Sequence, residues 1–169
     1  MKKNRVFIFI LFCSLLSCVK QSPQLPSNKG NTGDENVAAL LVINQNLTLK
    51  EDSILEKFVQ KEIGYKKSDL GFWYKIQQTA AGKLIKDKDK CKFSYQMVFL
   101  NGKVIEKAEK QIVIGQKQIV VGLEEGIKLM HKGDSATFII PWYLGYGLKG
   151  NNPTVPPYTS LIYHVKVSR

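Results

Sequence analysis

The sequence predicts an α+β domain in its C-terminal half, an antiparallel sheet with one short helix covering its apolar face. Three observations carry this expectation. Residues 91 to 99 alternate, placing Cys91, Phe93, Tyr95, Met97 and Phe99 on one face. The last stretch alternates too: Leu161, Tyr163, Val165 and Val167 face one way, and Ile162, His164 and Lys166 the other. Between these, Leu123, Ile127 and Met130 fall at helical spacing. An antiparallel sheet tolerates water on one face, so a single helix over its apolar face completes the core.

In chain order, Lys2, Lys3 and Arg5 precede an uncharged apolar run from Val6 to Val19. That run is too short to span a bilayer and suits a signal peptide over residues 1–17. Residues 18–46 hold Ser, Pro, Asn and Gly and read as a flexible tether, interrupted by an apolar patch from Val37 to Ile43 that suits a partial helix. Thr48-Leu49-Lys50-Glu51 is a capping-box pattern. Behind it Ile54, Leu55, Phe58, Val59 and Ile63 make an apolar stripe, so 47–70 reads as an amphipathic helix and linker. Such a stripe packs on the domain or meets a partner or a second copy.

From Gly71 the pattern turns to strands: Phe72–Ile76, Cys91–Leu100, Val104-Ile105, Gln111–Ile114, Ser135–Ile140 and Leu161–Val167. Asn101-Gly102 is a hairpin turn. Gly122 and Gly126 let a helix of about three turns lie close on the sheet, with Gly133 as its stop. The Gly-, Pro- and aromatic-rich stretch from Pro141 to Pro157 is too long for a plain connector and points to a functional loop.

The formal net charge is +11, yet the lysines are scattered and Arg occurs only at Arg5 and Arg169. A nucleic-acid binder needs clustered base- and phosphate-reading side chains, so that class is set aside. Cys13 lies in the signal segment, and Cys91 shares a strand face with Phe93 and Tyr95, as a buried, inert thiol would. His131 and His164 read as surface residues. No metal-ligand spacing and no cofactor motif is present in the sequence.

Val121-Gly122-Leu123-Glu124-Glu125-Gly126, the Lys132-Gly133-Asp134 turn, Tyr143-Leu144-Gly145-Tyr146-Gly147 and Val155-Pro156-Pro157 resemble, in order and spacing, the FKBP-type peptidyl-prolyl isomerases. The resemblance covers residues 71–169 and implies that family's fold, an antiparallel β-sheet half-wrapped around one short α-helix. Among relatives, the small lipoprotein isomerases associated with bacterial gliding motility are similar. Leu15-Leu16-Ser17-Cys18 likewise resembles the bacterial lipobox, in which the cysteine becomes the first mature residue and carries lipid.

The resemblance implies a pocket between helix and sheet. Its walls would be Tyr95, Ile105, Ile119, Val120, Val155 and Tyr163, its floor Leu123, with Tyr146 over the rim and Glu106 where the family has Asp. Tyr95, Glu106, Val120 and Tyr146 would carry catalysis. Ile105, Ile119, Leu123, Val155 and Tyr163 would hold the substrate. Leu123 replaces the usual floor Trp, and Ile105 and Lys110 replace aromatics, so the implied activity is weak. The implied function is a membrane-tethered peptidyl-prolyl cis-trans isomerase assisting the folding of exported proteins. It would need no cofactor or metal, take proline-containing polypeptides as clients, and be held in the bacterial envelope, facing the periplasm, by lipid on Cys18. The alternative is a non-catalytic chaperone or binding module of an envelope or motility assembly. Clients, membrane leaflet and oligomeric state stay open.

Overall fold

Six strands form one antiparallel sheet with a helix against each face. A computed structural model describes residues 32–78 and 82–169. In chain order the elements are α1 (Thr32–Val59), β1 (Lys66–Lys67), β2 (Trp73–Gln78), β3 (Lys90–Phe99), β4 (Val104–Val113), α2 (Val121–Ile127), β5 (Ser135–Ile140), a 3₁₀ turn (Trp142–Leu144) and β6 (Leu161–Val167). The sheet order is β1-β2-β5-β6-β3-β4, antiparallel throughout. The chain divides into two units, residues 1–40 and 41–169. In the first, the described residues hold only the opening of α1. The expected signal segment, Cys18 and the first part of the tether lie outside the described residues.

Alternation builds two cores on one sheet. Phe93, Tyr95 and Met97 of β3, Ala136, Phe138 and Ile140 of β5, and Leu161, Tyr163 and Val165 of β6 face inward, with Leu123 and Ile127 of α2 against them. The intervening residues Val98, Ile139 and Ile162 face outward and are covered by Leu55 and Val59 of α1. Both faces of the central strands are therefore buried where a helix lies on them, and burial of an aliphatic side chain contributes about 1.5–3 kcal/mol.

α2 lies so close to β5 that its glycines are obligatory. A Cβ on Gly126 would stand 2.7 Å from the Phe138 ring, and one on Gly122 would stand 2.6 Å from Ile140. The helix spans only Val121–Ile127, shorter than the three turns expected. Leu129 and Met130 donate to the carbonyls three residues back, which tightens the chain out of α geometry before Gly133 is reached. Gly133 (φ +94) instead shapes the turn into β5. Asn101-Gly102 forms the hairpin turn as expected, Gly102 donating to the Phe99 carbonyl.

α1 departs further from expectation. It starts at Thr32, inside the expected tether, because no Pro or Gly interrupts residues 34–63. The capping-box reading of Thr48 is corrected: Thr48 is mid-helix, and its hydroxyl donates to the Asn44 carbonyl at 3.0 Å. Of the expected stripe, Leu55, Phe58 and Val59 pack on the sheet, whereas Ile54 and Ile63 are exposed. The helix ends at Val59 with two tight turns, Lys61 to Phe58 and Glu62 to Val59, which swing Ile63 out. Tyr65 takes its place against the sheet. Among the described residues, no helix is long and apolar enough to cross a membrane.

Candidate functional site

The site grows from the register of β3, β4 and β6. Met97 stands opposite Glu106 of β4 and Tyr163 of β6, and Tyr95 opposite Ala108 and Val165. Tyr95, Glu106 and Tyr163 therefore share the inner face in adjacent rows. A register shift between Met97 and Val98 adds a residue on the β4 side. Such a bulge re-aims a side chain: Ile105 packs on the inner core although its neighbour Glu106 reaches Tyr95. The Tyr95 and Tyr163 rings lie 5.9 Å apart, tilted, and both are nearly buried. Across them, α2 brings Val120 at its N-cap and Leu123 one turn in. The segment after β5 brings Tyr146.

These residues enclose a pocket of about 360 Å³ whose lining includes Tyr95, Tyr163, Leu123, Ile119, Val120 and Tyr146. Six of the nine expected protein site residues thus meet around one space. Glu106 is set behind Tyr95, Val155 is buried in the core at 1% exposure, and Ile105 packs beside it. The lining also holds Lys110, Lys117, Gln118 and Asn151. Lys110, expected only as a lost aromatic, sits with its ammonium 5.6 Å from the centre of the Tyr95 ring. Lys117, Gln118 and Asn151 carried no local signal. They arrive because the Gly115–Gln118 turn and the 141–160 segment close over the sheet. Two of them are pinned locally: Gln118 accepts from the Val113 N–H at 2.8 Å, and Asn151 and Val155 exchange backbone hydrogen bonds at 2.7 and 2.8 Å.

Burial, first, and then hydrogen bonding to Glu106 push the Tyr95 phenol well above its ordinary range. Burial does the same to Tyr163, with the Tyr146 hydroxyl adding to it. Both phenols are neutral donors at any physiological pH, and neither is a base or a nucleophile. Val120 lines the pocket with extended backbone (φ −61, ψ 143), and its N–H has no acceptor among the described residues. No group of three or more His, Cys, Asp or Glu side chains able to hold a metal occurs among the described residues. Cys91 is buried and free, and His164 is exposed on the outer face, where its Nδ1 lies 3.0 Å from the Thr137 hydroxyl.

A larger cleft of about 560 Å³ opens beside β3 and β6, where Tyr95, Ala108, Ala136 and Val165 alternate with Gln77, Ser94, Lys107 and His164. It draws nothing from α2 or from the segment after β5, whereas the smaller pocket brings both against the Tyr95–Tyr163 pair.

This geometry, an antiparallel sheet closed over a short helix with a tyrosine-lined pocket, is that of a known class. Residues 82–168 match the profile of the FKBP-type peptidyl-prolyl cis-trans isomerases, and the chain belongs to that family. Over 105 residues it is 33% identical to a probable FKBP-type peptidyl-prolyl cis-trans isomerase of Haemophilus influenzae, covering 60% of this chain and 44% of that protein. Over 115 residues it is 30% identical to the FKBP-type isomerase FkpA of Escherichia coli K12, covering 66% of this chain and 42% of FkpA. The chain spans about half the length of the curated relatives it matches. The crystal structure of E. coli FkpA superimposes with a TM-score of 0.64 at 22% identity, covering 100% of this chain and 82% of that one, a likeness of fold.

Proposed function

We propose that the chain is a peptidyl-prolyl cis-trans isomerase whose pocket works by desolvation. Rotation about an Xaa–Pro bond meets a barrier of ~18–20 kcal/mol because twisting breaks amide resonance. The planar amide is the more charge-separated form and water solvates it better. A dry pocket therefore favours the twisted form over the planar one. The nearly buried Tyr95–Tyr163 pair with Leu123 supplies the dry bed for the proline ring. The Val120 N–H and the Tyr146 hydroxyl hold substrate carbonyls in this reading, and Glu106 orients Tyr95, which is supported by the pocket lining and by the Tyr95–Glu106 hydrogen bond. The roles of Ile105, Ile119 and Val155 are to shape the apolar wall. The step requires no nucleophile, metal or cofactor.

The observation that carries this reading is the convergence of the tyrosine pair, the buried Leu123 and an unpartnered backbone donor on one pocket. The purified protein should speed cis-trans exchange of a proline tetrapeptide. A folded protein with no such effect would leave the second reading, a chaperone or binding module. One observation favours that reading: the floor is an aliphatic Leu123, leaving a less enclosing pocket.

For cellular placement, the apolar run ending in Leu15-Leu16-Ser17-Cys18 supports a lipid anchor on Cys18 and work on exported proteins at the periplasmic side of a bacterial membrane. A place in gliding motility rests on the likeness of the sequence to that lipoprotein group alone. Replacing Cys18 by Ala should move the protein from the membrane to the soluble fraction. Recovery of both forms in the soluble fraction would overturn the anchor.

A further inference from the structure

Helix α1 precedes the segment that matches the family, yet it grips the part of the chain that carries Tyr146. Two half-buried carboxylates in adjacent positions do this. Asp52 Oδ1 accepts the Tyr143 hydroxyl at 2.6 Å, and its other oxygen lies 3.8 Å from the Lys67 ammonium. Glu51 accepts the Ser160 hydroxyl, and the same Ser160 oxygen accepts the Trp142 N–H at 3.0 Å. Ser160 is 5% exposed, so this chain of bonds is shielded from water. The two carboxylates thus hold the start and the end of one excursion, Trp142 to Ser160.

Tyr146 lies inside that excursion and depends on it. The Trp142 carbonyl accepts the N–H groups of Gly145 and Gly147 at 3.1 and 2.8 Å, bracketing Tyr146. The Gly147 carbonyl accepts the Tyr158 N–H at 3.1 Å, and the Tyr158 ring stacks edge-on against Trp142 at 5.1 Å. Tyr143 packs edge-on against the other side of Trp142 at 5.5 Å. Gly71 makes room for the contact: a Cβ there, already strained at φ +98, would come within 2.9 Å of the Tyr143 hydroxyl.

Covering the outer face of the sheet does not require these acids. Leu55, Phe58 and Val59 do that without them, one to two turns further along α1. A carboxylate taken half out of water is retained only where it gains strong hydrogen bonds, and both of these face the same excursion. We infer that Glu51 and Asp52 are positioning residues for the isomerase site, and that α1 acts through Tyr143 and Ser160 as a strut fixing where Tyr146 stands over the pocket. This rests on the isomerase reading for its consequence, but not for its geometry.

The test uses the full chain with two readouts: amide hydrogen exchange at residues 143–147, and kcat/KM on a proline tetrapeptide. Asp52→Ala and Tyr143→Phe should each speed exchange at 143–147 about tenfold while β3 stays protected, because only the local opening is made easier. Each should lower kcat/KM by up to about tenfold through misplacement of Tyr146, and the double variant should do no more than either alone. Asp52→Asn keeps an acceptor oxygen and should restore both readouts. Val59→Ala, which loosens α1 from the sheet away from the excursion, should lower the unfolding temperature and leave both unchanged. Exchange at 143–147 that ignores Asp52→Ala, or Val59→Ala reproducing its loss of kcat/KM, would overturn the inference. If the wild type shows no turnover but exchange responds as stated, the strut stands and the isomerase reading falls.

Discussion

The inner and outer faces of one sheet solve different problems. The inner face leaves a gap between Tyr95, Tyr163 and Leu123. The outer face, under α1, leaves none around Leu55, which is fully buried among Val98, Ile139 and Ile162. An apolar surface left open is useful for binding, and one packed under a helix is useful for stability. The same three strands carry both, because alternating side chains point to opposite faces. Changes to the apolar contacts under α1 should therefore act on folding, and changes to the pocket lining on turnover.

The sharpest way to break this contrast is to remove α1. A chain beginning at Gly71 would expose Val98, Ile139 and Ile162 and lose both carboxylate contacts, so it should unfold without a cooperative transition. Leu55→Ala should keep the fold at a cost of about 2–5 kcal/mol, read by denaturant titration. An unaltered unfolding midpoint in either case would show that α1 is an ornament. On the inner face, Gly126→Ala should cost about 1–3 kcal/mol, because its methyl meets the Phe138 ring at 2.7 Å.

The two faces were not equally legible in the sequence. Period-2 alternation revealed β3 and β6 and the direction of Tyr95 and Tyr163, since register on a sheet buried on one side leaves little freedom. The ordered glycines, prolines and tyrosines pointed to the pocket. β4 was harder. Glu106, Lys107, Glu109 and Lys110 read as a break between two short strands, but an edge strand carries charge readily, and Val104–Val113 is one strand. The pocket roles of Lys117 and Asn151 were invisible because closure of distant segments places them. The start of α1 was hidden for the opposite reason: Pro23 and Pro26 set a loop-like tone that does not extend past Gly33.

Smaller effects sharpen the account of the inner face. Leu123→Trp enlarges the apolar floor and should raise turnover about fivefold, equivalent to about 1 kcal/mol of barrier, once the variant is shown to be folded. Equal or lower turnover in a folded variant would mean that floor area does not limit the step. The phenols predict a pH response of stability. In the folded chain Tyr95 and Tyr163 are raised from an ordinary value of 10.0, so the folded state holds protons that the unfolded state releases. Their contribution is complete below about pH 10 and is lost as pH rises from there toward the folded values. The unfolding midpoint should be flat with respect to these groups up to about pH 9 and fall above 10. Tyr95→Phe should flatten that fall.

The central claim is that the inner pocket itself accelerates prolyl rotation. The most direct measurement is cis-trans exchange of a proline tetrapeptide by NMR, with wild type and Tyr146→Ala compared at equal concentration of folded protein. The account predicts exchange above the uncatalysed rate with wild type, and a clear reduction when the Tyr146 hydroxyl and ring are removed. Exchange at the uncatalysed rate with folded wild type, or acceleration that Tyr146→Ala leaves untouched, would contradict it.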